Sequence, residues 1–206
     1  MENVRWDPAV AATMADDEPA MTRFPVPDVE DLPADLRERI EEETERAGFT
    51  PNVFEAYGYK PSHFRAFFDY YDALVEDTTL EREEVEMVVV AVSGANDCLY
   101  CNVAHGALLR VYGEDPHLAD QLVSNPHAAD LDDAHSAMVE FAVKLTDQDR
   151  MAAVDEDDVE RLLDNGFTRE EVWDVGATAA FFNLSNRMAH LANMRPNAEF
   201  YTLGRE

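Results

Sequence analysis

The sequence predicts an all-α protein, and three observations lead to that conclusion. Apolar residues recur three and four positions apart in one segment after another, which is the period of a helix with one buried face. Capping residues, glycines and prolines stand at the ends of these segments, where helices begin and end. We find no convincing strand or β-hairpin pattern in the 206 residues. Helices packed on helices are therefore the expected architecture.

The chain divides into a terminal arm and one domain. Residues 1–24 lack a long apolar period, and the segment 1–20 is rich in alanine, aspartate and proline. We therefore predict an N-terminal arm over residues 1–24. A chain of 206 residues is long enough to bury a proper core as one domain. We therefore expect a single helical domain over residues 25–206.

Glycine and prolines set the bounds of the first helices in that domain. The periodic segment 34–47 is followed by Gly48, a common residue just past a helix end. A short helix is expected after Pro51. Pro61 is well placed to begin the next helix, because its fixed φ suits the first helical position. Aromatic residues then recur three and four positions apart and predict a buried stripe.

The middle of the chain predicts two helices joined by a short break. Thr78-Thr79-Leu80-Glu81 reads as a capping box that opens the first of them. Residues 85–92 are apolar nearly all round, so this helix should be central and buried. Residues 94–97 interrupt it, and a second helix is expected over 98–112, with Asn96 as its cap.

The second half of the chain predicts four more helices. A second capping box, Thr168-Arg169-Glu170-Glu171, opens the last and longest of them, and Pro196 ends it. The predicted segments are 117–124, 132–147, 155–165 and 169–194.

The charge of the chain excludes several kinds of partner. Asp and Glu number 44 against 16 Lys and Arg, a formal net charge of −28, and Lys60 and Lys144 are the only lysines. Such a surface repels phosphate backbones and anionic lipids, so we expect neither nucleic acid nor a membrane as partner. Many carboxylates with few lysines are typical of proteins from salt-rich cytosols, which indicates a halophilic protein.

The compartment predicted from the sequence is the cytoplasm. No stretch approaches 18 consecutive apolar residues, and no basic segment followed by an apolar run opens the chain. The only two cysteines form one Cys-x-x-Cys, at Cys98 and Cys101. A lone pair of this kind indicates redox or metal chemistry rather than a secreted disulfide scaffold.

The motif from Glu86 to His105 carries the chemistry. If a helix begins near Cys98, then Cys101 and His105 are one turn apart on the same face. A thiolate is favoured near a helix N-terminus, and an imidazole one turn on can accept or return its proton. Glu86, inside an otherwise apolar helix, is expected to orient that imidazole. Three alternatives remain open: redox chemistry, a single metal site formed by all four residues, and two inert buried thiols.

The pattern Glu-x11-Cys-x-x-Cys-x3-His in an all-α chain resembles the alkylhydroperoxidase AhpD and carboxymuconolactone decarboxylase superfamily. A wider match, which includes Ser93, Asn96 and Tyr100 together with Gly48-Phe-Thr-Pro-Asn52 and Phe181-Phe182-Asn183, is similar to its peroxidase-related branch. The decarboxylase branch lacks the cysteine pair, so lactone decarboxylation is disfavoured. The resemblance implies an AhpD-like helical bundle without a cofactor or a bound metal.

The resemblance also implies roles for the residues. Cys101 would attack the peroxide, Cys98 would resolve the product as a disulfide, and His105 with Glu86 would relay protons, through a water. From its neighbour His105 we expect Cys101 to be the more acidic thiol. AhpD has a histidine where this chain has Tyr100, which does not titrate near neutrality, so Tyr100 is a candidate wall or site residue.

The function predicted from the sequence is therefore a thiol-dependent peroxidase of the alkylhydroperoxide reductase type. Its expected partners are a peroxide substrate, an unidentified dithiol reductant protein and further copies of this chain in a homo-oligomer. The alternative is a non-enzymatic helical oligomer that senses redox state or binds a metal. On the last helix, Asn183, Arg187 and His190 are interpreted as structural or interface residues.

Overall fold

The computed structural model describes residues 19–205, and the all-α prediction is confirmed over that range. Among these residues there are nine α-helices, four short 3-10 helices and no β-strand. None of the helices is long and apolar enough to cross a membrane. The α-helices are α1 (Ala34–Ala47), α2 (Asn52–Gly58), α3 (Pro61–Glu76), α4 (Arg82–Ala95), α5 (Leu99–Tyr112), α6 (Leu118–Ser124), α7 (Asp133–Thr146), α8 (Glu156–Asp164) and α9 (Arg169–Ala192).

Helix α4 lies at the centre of the larger hydrophobic core, as its sequence predicts. Every side chain from Val85 to Ser93 is buried. Helices α5, α6, α7 and α9 all pack against it. Burial of apolar surface is the main favourable term in folding. Because α4 is buried on all sides, it contributes heavily to stability. Glu86 is the one charged residue in this buried run.

A second core, rich in aromatic side chains, joins α2 and α3 to the start of α5. The rings of Phe54 and Phe68 stack with their centroids 4.2 Å apart, and Phe64 packs 4.6 Å from Phe68. Cys98 and Cys101 belong to the same buried cluster. Because α5 also packs against α4, the two cysteines lie where the two cores meet.

The turn between α4 and α5 determines the position of the cysteines. Gly94 lies so close to α6 that a Cβ atom there would come 3.2 Å from the Cα atom of Val123. Asp97 adopts the left-handed conformation, with a φ of 53°, which few non-glycine residues do. Cys98 follows as the N-cap of α5, and its Sγ atom accepts the backbone N–H of Cys101.

The prediction that Asn96 caps α5 is wrong. Asn96 instead ends α4, and its side-chain Nδ2 donates a hydrogen bond of 3.1 Å to the carbonyl oxygen of Val92. The sequence pattern did not reveal this because asparagine is favoured in both positions, whereas a cysteine is an unusual N-cap.

The capping box that opens α4 also lies three residues later than predicted. Glu81 is the N-cap, and its backbone N–H donates to the side chain of Glu84 at 2.7 Å. Thr78 instead donates a hydrogen bond of 2.7 Å to Asp174, which ties the connection between α3 and α4 to α9. The second predicted box is confirmed, with Thr168 as the N-cap of α9.

The last residues of the predicted arm pair with the end of α9. Met21 forms an antiparallel bridge with Met194, and both side chains are buried. The backbone N–H groups of Thr22 and Arg23 donate to the carbonyl oxygen of Ala192. The rest of the arm, residues 1–18, lies outside the described residues.

Candidate active site

The two cysteines are free thiols in direct contact. Their Sγ atoms lie 2.8 Å apart, and the side chains of Cys98 and Cys101 are 1% and 2% exposed. The backbone N–H of Cys101 also points to the Cys98 sulfur, at 3.4 Å. Cys98 therefore accepts a helix N-terminal N–H, and as a thiolate it also accepts the hydrogen of the Cys101 thiol, which favours the ionised form of Cys98.

The predicted order of acidity is reversed in the structure. The hydrogen bond from the Cys101 thiol, more than any other contact, lowers the pKa of Cys98. That same bond, together with burial and the negative charge on Cys98, raises the pKa of Cys101 well above its ordinary value. Cys98, at the helix N-terminus, therefore ionises first, and the proximity of His105 to Cys101 does not outweigh this effect.

Glu86 lies between an imidazole and a guanidinium group. Its carboxylate, 1% exposed, contacts Nδ1 of His105 at 2.8 Å through Oε2 and Nη2 of Arg82 at 2.7 Å through Oε1. Although burial disfavours the charged form of Arg82, the Glu86 carboxylate raises the pKa of that guanidinium. A carboxylate held in this way accepts the Nδ1–H of His105, which leaves Nε2 as the basic nitrogen.

The cavity beside these residues gives access to one sulfur. It has a volume of about 330 Å³, and Cys101 and His105 line it, whereas Cys98 is not among its lining residues. No direct hydrogen bond joins His105 to Cys101 among the described residues. The two side chains instead line the same cavity, where both can contact a bound molecule. The other walls are mainly aromatic and aliphatic, from residues such as Phe54, Phe67, Phe68, Tyr71, Phe181, Phe182 and Phe200.

Tyr100 is both a wall of this cavity and a tie between helices. Its hydroxyl oxygen accepts a hydrogen bond of 3.1 Å from the backbone N–H of Val53, at the start of α2. The side chain is 5% exposed, and burial raises its pKa. Tyr100 is therefore neutral at the site, as expected for a residue that cannot relay protons near neutral pH.

A buried polar network behind Cys98 was not identified from the sequence. Asn186, which is fully buried, donates to Ser93 at 3.0 Å and accepts from Asn96 at 2.9 Å. It also provides a hydrogen bond that lowers the pKa of both thiols. His190 contacts the carbonyl oxygen of Asn96 at 2.8 Å and helps to lower the pKa of Cys98.

The residues of this network are far apart in the sequence, which explains why inspection of the sequence did not identify it. Asn186 and Ser93 lie 93 positions apart on different helices. The only available signal was polarity inside the otherwise apolar pattern of α9. Asn183 and His190 were noticed there, but as structural or interface residues, and the structure places both in the network behind the cysteines.

The metal-binding alternative finds no support in the geometry. Within residues 19–205, no group of three or more His, Cys, Asp and Glu side chains is arranged to hold a metal ion. The nearest candidate group is committed to other contacts, since Glu86 binds His105 and Arg82, and Cys98 contacts Cys101.

Fold and site together define an all-helical protein with a buried dithiol at a helix N-terminus and a carboxylate–imidazole pair beside it. Residues 61–144 match the model of the carboxymuconolactone decarboxylase family. The chain belongs to this family. Solved structures that are similar to it are described as AhpD-core and peroxidase-related proteins. No curated protein gives a significant match.

Two solved structures are similar over nearly their whole length. A peroxidase-related protein with an alkylhydroperoxidase AhpD core, from Ralstonia eutropha, is 49% identical with a TM-score of 0.88 and is matched over 92% of this chain and 98% of its own. A peroxidase-related protein from Silicibacter sp. is 37% identical with a TM-score of 0.84, over 91% and 97%. These matches confirm the resemblance to the peroxidase-related branch.

A more distant structure shares the fold alone. The debrominase Bmp8, in complex with 2,3,4-tribromopyrrole, is 15% identical with a TM-score of 0.73, over 92% of this chain and 97% of its own. The family fold therefore occurs in proteins with different activities, and the function of this chain has to be argued from its own site.

Proposed function

We propose that this protein is a thiol-dependent peroxidase that reduces an organic hydroperoxide with the Cys98–Cys101 dithiol. The observation that carries the proposal is the position of the two sulfurs. Cys101 lines a cavity beside His105, and its Sγ atom is 2.8 Å from that of Cys98. A substrate can thus reach one thiol while the second is already within range to resolve the product.

In the first step, Cys101 attacks the peroxide. Its thiol loses a proton, and the sulfur bonds to the outer oxygen while the O–O bond breaks, which gives a sulfenic acid and an alcohol. The sulfur is oxidised by two electrons and the peroxide is reduced by two. Because the pKa of Cys101 is raised, the step needs a base, and Nε2 of His105 is the basic group that shares the cavity.

The proton then returns to the leaving alkoxide. Glu86 holds Nδ1 of His105 at 2.8 Å, which stabilises the imidazolium that forms when the ring accepts the thiol proton. A water between His105 and the reacting atoms carries the proton in either direction. Arg82 keeps Glu86 in place through its ion pair with the other carboxylate oxygen.

In the second step, Cys98 resolves the sulfenic acid. Its lowered pKa makes it the thiolate of the pair, so it can attack the Cys101 sulfur and release hydroxide, which leaves as water after protonation. The backbone N–H of Cys101, at the start of α5, points to this sulfur at 3.4 Å. The reversed acidity therefore suits a division of labour in which Cys101 meets the peroxide and Cys98 closes the disulfide.

Regeneration requires an external dithiol. Two electrons and two protons must reach the Cys98–Cys101 disulfide, and a dithiol reductant protein supplies them through a mixed disulfide. We place the protein in the cytoplasm, where such reductants keep thiols reduced. Hydroperoxide and reductant are thus the two expected partners.

Steady-state peroxide consumption with dithiothreitol as the reductant tests the proposal. The wild type should consume many equivalents of cumene hydroperoxide per protein, whereas Cys101→Ser should not turn over. Cys98→Ser should turn over more slowly than the wild type, because dithiothreitol alone must then reduce its Cys101 sulfenic acid. His63→Ala, on an exposed position of α3, is a matched control that should retain full activity. Consumption of a single equivalent by the wild type, with no turnover, would instead describe a redox sensor.

A further inference from the structure

The active-site cavity opens to solvent at the end that lies far from Cys101. Its wall on α5 is one helical face that runs from Cys101 to Tyr112, positions about 16 Å apart along the helix at about 1.5 Å per residue. The lining side chains around Cys101 are buried or half-buried, and the exposed ones are Arg46, Ala47, Val111, Tyr112 and Leu203. A lining residue that solvent also reaches borders an opening, so a substrate enters there and passes along α5 to Cys101.

The C-terminal segment, which we define as residues 197–205, forms one side of this opening. It consists of a 3-10 helix, Ala198–Tyr201, with a short turn after it. Phe200 is buried, lines the cavity and packs edge-on against Phe49, with the two ring centroids 5.0 Å apart. Leu203 lines the same cavity and is 40% exposed, which places it at the rim. Both side chains therefore stand beside the path to Cys101.

A buried arginine of α5 holds the C-terminal segment in place. Arg110 is 5% exposed, and it donates from Nη2 to the carbonyl oxygen of Phe200 and from Nε to that of Leu203, each at 2.9 Å. Burial lowers the pKa of this guanidinium, so its charge depends on these acceptors. Because hydrogen bonds from a charged donor are the strong ones, Arg110 fixes the two cavity-lining residues by their own backbone.

Two further contacts fasten the end of the C-terminal segment. Arg205 binds the carboxylate of Asp120 on α6 through Nη1 and Nη2, at 2.9 and 3.0 Å. Gly204 has a φ of 73°, and a Cβ atom at this position would lie 2.7 Å from the Cβ atom of Arg110. Glycine alone suits both the left-handed backbone and so close an approach, which lets the segment lie directly against α5.

The start of the C-terminal segment is held by the sequence Gly48-Phe-Thr-Pro-Asn52, which precedes and opens α2. The side-chain Nδ2 of Asn197 donates to the carbonyl oxygen of Thr50, and its Oδ1 accepts the backbone N–H of Asn52, both at 2.8 Å. Phe49 from the same sequence lines the cavity beside Phe200. The segment is thus tied at both ends, with its two cavity-lining side chains between the ties.

We infer that the C-terminal segment limits the size of the molecule that reaches Cys101. Phe200 and Leu203 determine which sizes pass, and Arg110 is the residue that positions them. That the molecule is a hydroperoxide rests on the proposed function, whereas the size limit does not. Narrow hydroperoxides pass the opening and broad, many-ringed ones are held back until the segment loosens, which is a local opening of the fold.

The test compares two alkylating reagents that differ only in size. In a Cys98→Ser protein, Cys101 is the only cysteine, and iodoacetamide and N-(1-pyrenyl)iodoacetamide modify it by the same reaction. The ratio of the pyrenyl rate to the iodoacetamide rate therefore measures access and cancels the pKa of the thiol. Adding Arg110→Met should raise this ratio about tenfold or more, the factor that loss of one hydrogen bond from a charged donor gives.

Two further variants in the same background keep the test decisive if Arg110→Met does not fold. Leu203→Ala shortens an exposed side chain at the rim, and it should also raise the ratio. Thr202→Ala is the matched control, because this exposed neighbour belongs to the same segment but does not line the cavity. It should leave the ratio unchanged.

The inference is overturned if the ratio stays the same in Arg110→Met and Leu203→Ala, or if Thr202→Ala raises it as much as Leu203→Ala. Failure of the proposed function has a different signature, since no hydroperoxide would then be turned over while the ratio of alkylation rates would still rise. Where both hold, Arg110→Met and Leu203→Ala should raise the rate with triphenylmethyl hydroperoxide relative to the rate with hydrogen peroxide.

Discussion

The Sγ atoms of Cys98 and Cys101 lie 2.8 Å apart, and this contact moves the two pKa values in opposite directions. The Cys98 thiolate gains the Cys101 thiol as a donor, and its charge then opposes ionisation of Cys101. Protons leave such a pair in two separate steps, the first below and the second above the ordinary thiol range. The sulfur that the substrate can reach is therefore the one that needs a base.

The first prediction concerns the donor to Cys98. Cys101→Ala should raise the pKa of Cys98 toward its usual value, because the largest cause of the lowered pKa is lost. Cys101→Ser retains a hydroxyl donor and should raise it less, so the two variants form a matched pair. The ultraviolet absorbance of the thiolate against pH measures both, and an unchanged titration in Cys101→Ala would contradict the assignment.

The second prediction concerns the buried network. Asn186→Leu should destabilise the fold by about 1–3 kcal/mol, because Ser93 and Asn96 lose their partner in a fully buried position. It should also raise the pKa of Cys98 and so shift disulfide formation to higher pH. Urea unfolding measures the first effect and the pH dependence of sulfenic acid resolution the second. A stability loss without a pH shift would make Asn186 merely structural.

The third prediction concerns the proton relay. His105→Ala should slow oxidation of Cys101 about 10²-fold at neutral pH, the lower end for general base catalysis, and Glu86→Gln should slow it less. At high pH the loss should shrink, because solvent then deprotonates a thiol whose pKa is raised. Rapid-mixing oxidation rates against pH measure the effect, with circular dichroism as the folding control. A deficit that is the same at every pH would count against a relay.

Sequence reasoning found the groups of the site that are close in the chain. Cys98, Cys101, His105 and Glu86 fall within twenty residues, and a helical period of 3.6 already places Cys101 and His105 on one face of the same helix. The order of thiol acidity did not follow from that pattern. It depends on which of the two sulfurs the hydrogen bond between the thiols stabilises as a thiolate, and that cannot be read from the sequence.

The residues that sequence reasoning missed come from distant positions. Asn186 and Arg39 reach the site from helices at opposite ends of the chain, and each looks like an ordinary polar helix residue. Arg82 stands at i−4 from Glu86, a spacing that could have indicated the ion pair. Helix bounds were predicted well at Gly48, Pro61 and Thr168, whereas Thr78 was wrongly taken as the cap of α4, whose N-cap is Glu81.

The fourth prediction concerns salt. With a net charge of −28, self-repulsion should destabilise the fold in dilute buffer, and screening should relieve it. The melting temperature is expected to rise between dilute buffer and molar KCl. A melting temperature that stays flat or falls would remove the basis for a halophilic protein.

The fifth prediction concerns assembly. Several large apolar side chains of α9 remain exposed on the single chain, among them Trp173 at 77% and Leu184 and Leu191 at 52% each. Together with the family resemblance, they lead us to expect a symmetric homo-oligomer, at least a dimer. Light scattering in high salt should give a mass of at least two chains, and a monomer would contradict the expectation.

The most direct test of the account is mass spectrometry of the reduced protein after one equivalent of hydroperoxide. The wild type should lose two hydrogens through the Cys98–Cys101 disulfide. Cys98→Ser should gain one oxygen at Cys101, because nothing resolves its sulfenic acid, and Cys101→Ser should remain unmodified. Oxygen on Cys98 in Cys101→Ser, gained as fast as at Cys101 in the other variant, would reverse the two roles, and no reaction in any of the three proteins would contradict a thiol peroxidase.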